Sequence, residues 1–109
     1  MSSSRRLPHA SAGLILATLV FPAPGQAADV ANGSRLAHRW CEACHVIAPV
    51  QSRPSTDQAP PFATIAARPD FDASKLALFL LEPHPKMPSM SLSRSEAADL
   101  AAYIGSLNK

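Results

Sequence analysis

Apolar positions recur at helical spacing in three stretches of the chain, each bounded by residues that start or stop helices. In the first, over residues 30–43, Leu36, Ala37, Trp40, Cys41 and Cys44 share one side of a helix. Gly33 lies inside it at a cost of about 1 kcal/mol relative to alanine, so it either admits a close neighbouring helix or is tolerated near a fraying end. The second, residues 73–81, is strongly apolar, with Asp72 placed as N-cap and Pro83 as a stop, and reads as core. The third runs from Arg94 to about Ser106. It opens on the capping box Ser93-Arg94-Ser95-Glu96 and carries Ala97, Leu100, Ala101, Ile104 and Leu107 as an apolar stripe. Residues 46–69, with Pro49, Pro54, Pro60, Pro61 and Pro69, lack periodicity and predict an irregular loop, and residues 83–90 predict an extended one held by three prolines. The patterning predicts an all-α domain of three main helices and proline-rich loops.

Ahead of these elements, Arg5 and Arg6 precede an apolar stretch from Ala12 to Phe21, then Pro22, Pro24 and the small-residue string Gly25-Gln26-Ala27-Ala28. This is the pattern of a secretory signal peptide over residues 1–28, cleaved after Ala27 or Ala28, with one domain over 29–109. The apolar part is too short to span a bilayer; an uncleaved anchor is the competing reading. Export changes the charge balance. The full chain carries +2, and loss of Arg5 and Arg6 leaves eight basic against eight acidic residues, so no nucleic-acid or polyanion partner is implied. A domain this small, with 11 prolines in the chain and many alanines, buries little core of its own.

Cys41-Glu42-Ala43-Cys44-His45 carries the chemistry. Residues three and four apart share a helical face, so both sulfurs and the imidazole can meet one ligand. CxxCH reads as a c-type haem attachment site, each thiol adding to a vinyl group while the imidazole coordinates iron. A redox-active disulfide lacks the expected βαβ setting, and a zinc site lacks a second ligand pair, since His38, His45 and His84 stand at irregular separations. Haem attachment alone uses all three residues, and a large apolar cofactor would supply missing core.

Over essentially the whole of residues 29–109 the chain resembles the small single-haem bacterial class I cytochromes c: a glycine-bearing first helix, CxxCH, a proline loop, a short middle helix, a Met-Pro loop and a capped last helix. The resemblance implies one covalent haem c on Cys41 and Cys44, with His45 and Met87 as axial ligands. Met90 is the runner-up for Met87. His84, between two prolines, matches no ligand position, and a copper(I) site from His84, Met87 and Met90 is unnecessary beside CxxCH. It also implies a proline carbonyl accepting from the axial imidazole, with Pro60 in Ala59-Pro60-Pro61-Phe62 the better match, and Leu100 and Tyr103 packing across Gly33. The Tyr103 hydroxyl is expected to reach solvent or a partner.

The function implied is that of a periplasmic one-electron carrier, not an enzyme, serving larger redox enzymes as donor and acceptor. It would be a monomer with no membrane span after cleavage. Lys75 and Lys86 are candidate steering charges beside the haem edge. Two alternatives stand beside it: a haem-based sensor with a labile or absent methionine ligand, and a haem subunit of a larger dehydrogenase or oxidase.

Overall fold

The computed structural model describes the chain apart from residues 2–3, 6, 9–10, 12, 23–24 and 52–58, so Arg6, Ala12, Pro24 and Pro54 lie outside the described residues. The helices are α1 (Val30–Trp40), α2 (Phe62–Ala66), α3 (Ala73–Leu81) and α4 (Arg94–Ser106), and the described residues contain no strand. The all-α class expected from the patterning is the one observed. Among the described residues no helix is long and apolar enough to cross a membrane.

Local chemistry sets the helix ends. Asp29 caps α1 by accepting the Asn32 N–H at 2.9 Å, and Asp72 caps α3 by accepting that of Lys75 at 2.9 Å. Ser93 and Glu96 form the reciprocal capping box of α4 at 3.0 and 2.8 Å. Helix α1 ends at Trp40, short of the residue 43 expected from the pattern. The N–H groups of Cys41 and Glu42 both converge on the Ala37 carbonyl, at 2.9 and 3.0 Å, which breaks the regular ladder.

Helices α1 and α4 cross at Gly33. A Cβ there would collide with the Asp99 carbonyl oxygen and lie 2.7 Å from the Tyr103 Cβ, so close approach is what the glycine permits. Leu36 and Ala37 of α1 join Leu100, Tyr103 and Ile104 of α4 in the core, with Ile47 from the following loop. The Tyr103 hydroxyl does not reach solvent or a partner as expected. It donates to the buried Ile47 carbonyl at 2.7 Å, because Ile47 is pulled into the core and its backbone needs a donor there.

Two further expectations are corrected. Residues 46–69 are not all irregular: α2 is a single turn that buries Phe62 and Ala66, four residues apart, and is too short to show a period. Helix α3 is not core, since none of its residues is fully buried. Its apolar residues run all round the helix while, among the described helices, α4 alone packs against it, so Leu76 and Leu80 reach the core and Leu78 and Phe79 stay exposed, at 58% and 48%.

Candidate functional site

The CxxCH turn begins where α1 stops. The N–H groups of Cys44 and His45 return to the Cys41 carbonyl at 3.0 and 2.8 Å, coiling the five residues into one turn. Cys41 faces the core and is buried, whereas Cys44 is exposed. Burial pushes the Cys41 thiol up to about 11, with the neighbouring Cys44 adding to the shift. Trp40 packs against the core, and the Arg39 guanidinium sits 4.9 Å from its ring centroid. On the outer side His38 and Glu42 pair at 3.1 Å.

His45 is held by contacts from beyond the turn. Its Nδ1 lies 2.7 Å from the Pro60 carbonyl oxygen. A carbonyl only accepts, so Nδ1 carries a proton, and in the neutral ring Nε2 then keeps its lone pair. Pro60, rather than Pro61, supplies this oxygen; Pro61 stands at the N-cap of α2. The Val46 carbonyl takes the Phe62 N–H at 2.9 Å, tying the residue after His45 to the residue after the proline pair. Gln51 donates to the His45 carbonyl at 3.2 Å and accepts the Ile47 N–H at 2.7 Å. The Phe62 ring lies 5.2 Å from the imidazole centroid and packs edge-on toward Tyr103.

The methionine loop approaches from the other end of α3. Met87 is half-buried and packs against the core cluster, while Met90 lies inside that cluster and is 8% exposed. Both line a cavity of about 190 Å³ with Leu80, Leu81 and Leu92. His84 is half-buried; its carbonyl accepts the Met87 N–H at 3.4 Å and its ring lies against Phe79, tilted by 46° with centroids 3.8 Å apart. Ser91, at φ 50°, turns the loop into α4. A second cavity, about 460 Å³, is lined by apolar Pro60, Ile65, Phe71, Leu76 and Phe79 and by charges of both signs, Arg68 and Lys75 with Asp70 and Asp72. Lys75 and Lys86 are both exposed. Sequence reasoning missed Gln51, Phe79 and Asp99. Asp99, on a stripe of alanines and leucines, is buried and accepts the Asp29 N–H at 2.7 Å and the Asn32 amide at 2.8 Å.

These residues fit a covalently held macrocycle. Two thiols of one turn, an imidazole whose Nδ1 is engaged by a carbonyl, a thioether lining a cavity and the half-exposed apolar side of α3 are the groups a haem protein uses. The comparison with known proteins specifies the class further. The chain is 56% identical over 94 residues to cytochrome c-552 of Bradyrhizobium diazoefficiens, covering 86% of this chain and 89% of that protein. The chain therefore belongs to the small bacterial class I cytochromes c, and carries a covalent haem c as an electron-transfer protein that works with redox partners, not as an enzyme. No protein-family model matches the sequence, and no solved structure matches it.

Proposed function

We propose that the chain is exported, cleaved after Ala27 or Ala28, and serves in the periplasm as a one-electron carrier with His/Met axial ligation. Cys41 and Cys44 form the thioethers, His45 coordinates through Nε2, and Met87 supplies the sixth ligand. The observation that carries this reading is the 2.7 Å contact between His45 Nδ1 and the Pro60 carbonyl, which orients the ring, selects the tautomer and raises the basicity of Nε2.

When bound, haem iron accepts and returns one electron. The chain's own residues determine how readily it does so. Met87 offers a soft thioether, which favours the ferrous state and raises the potential. With His45 and Met87 both held to it, the iron would keep no coordination site for a substrate and would rearrange little between oxidation states. Carbon monoxide added to the reduced protein tests this. The spectrum should stay unchanged at concentrations that saturate a five-coordinate haem; ready formation of an adduct would favour the sensing function instead.

A further inference from the structure

Asp99 joins the start of the folded domain to its last helix. One carboxylate oxygen takes the Asp29 main-chain N–H at 2.7 Å, and the other takes the Asn32 side-chain amide at 2.8 Å, across 70 and 67 residues of sequence. The residue is only 7% exposed, and it sits beside the Gly33 crossing. Ala28, immediately upstream, lines an apolar groove with Ala73 and Ala77 of α3 and Ala98 and Ala102 of α4. The junction at which the leader is proposed to be removed is therefore seated on the folded domain.

We propose that processing places the new α-ammonium group on Asp99, converting a hydrogen bond from a neutral amide into an ion pair that strengthens the tie between α1 and α4 in the mature protein. The inference rests on the proposed cleavage. A cut after Ala28 makes the nitrogen now 2.7 Å from Asp99 the ammonium itself. A cut after Ala27 puts the charge one residue upstream, about 3.8 Å along the chain from that nitrogen, where its coupling to Asp99 is weaker. With the cut after Ala28 the ammonium pairs with a carboxylate that is only 7% exposed, where screening by salt is weak. Hydrolysis of the peptide bond releases the leader with a carboxylate end and leaves the domain with the amine, which takes up a proton at neutral pH.

Among the described residues, these charged groups lie on the elements that meet here. Asp99 and Arg94 come from α4, and Asp29 supplies its own carboxylate, already occupied by the Asn32 N–H. Arg35 donates to the Asn32 side-chain oxygen at 3.1 Å. The α3 residues lining the groove, Ala73, Ser74, Ala77, Leu78 and Leu81, carry no charge.

The test uses the haem-loaded mature protein, its N-terminus first established by mass spectrometry. A chain still beginning at Met1 would overturn the cleavage and the ion pair together. With the native terminus confirmed, a version extended by four neutral residues is compared in urea unfolding, each with and without Asp99→Asn. The extension should lower the folding constant about tenfold with Asp99 present and less than twofold in Asp99→Asn. An equal loss in both backgrounds, or none in either, would overturn the ion pair while leaving cleavage intact. Should Asp99→Asn not fold, the stability gap between native and extended termini is followed against pH. A paired ammonium binds its proton more tightly when folded, so the gap should be full below about pH 7.7 and close as pH rises past it. A gap independent of pH would overturn the proposal.

Discussion

Gly33→Ala probes the helix crossing on which the domain depends. The added Cβ would collide with the Asp99 carbonyl oxygen and lie 2.6 Å from its carbon and 2.7 Å from the Tyr103 Cβ. Two of these atoms are backbone and the third is the root of a side chain, so no rotamer change relieves the overlap. The helices must part by roughly 1 Å to restore ordinary contact distances of about 3.5–4.0 Å. That displacement stretches the Asp99 bonds to the Asp29 N–H and the Asn32 amide, now 2.7 and 2.8 Å, toward breakage. Overpacking costs about 1–3 kcal/mol, and each weakened bond to a charged acceptor up to about 1.5–3 kcal/mol. Alanine returns about 1 kcal/mol of helix propensity. A net loss of about 3 kcal/mol follows, which for a domain of this size lowers Tm by roughly 12–24 °C. Urea and thermal unfolding of the haem-loaded protein, followed by circular dichroism, measure it. A loss below about 1 kcal/mol would show that the crossing yields easily and would refute the reasoning.

Other perturbations separate the site's parts. Met87→Ala should lower the reduction potential and abolish the weak methionine-to-iron absorption band, whereas Met90→Ala should mainly destabilise, by about 2–5 kcal/mol for a buried methionine, with that band retained. Tyr103→Phe leaves the Ile47 carbonyl without its 2.7 Å donor and should cost about 1–3 kcal/mol in urea unfolding. In the reduced chain before haem attachment, exposed Cys44 should alkylate well before buried Cys41, as mass spectrometry would show; equal rates would mean that the fold gives Cys41 no protection. Because the Cys41 thiol is raised from 9.0 to about 11, the folded form of that chain keeps a proton the unfolded form has lost. Its stability should therefore be unaffected below about pH 9 and fall as pH rises toward 11, measured by denaturant midpoints across that window.

What the sequence made legible was local. The capping box at Ser93 and Glu96 and the cap at Asp72 each need only four consecutive residues, and the helices they open lie where the patterning places them. CxxCH named the candidate thiols and imidazole by the same short-range logic. What it left out is long-range. Nothing near Tyr103 announces that its hydroxyl serves a carbonyl 56 residues away, and nothing near Asp99 announces a partner at Asp29. Helix α3 misled for the opposite reason: its apolar run was plain, but only the number of neighbours decides whether such a run is buried. The Phe79 and His84 rings meet across the end of α3, a contact that one-dimensional periodicity does not contain.

The central claim is that this chain holds a haem c between His45 and Met87. The visible spectrum of the purified, oxidised mature protein tests it most directly. The account predicts a haem Soret band together with the weak long-wavelength band of methionine-ligated ferric iron. A Soret band without the second would contradict Met87 as ligand, and no Soret band would contradict the haem site altogether.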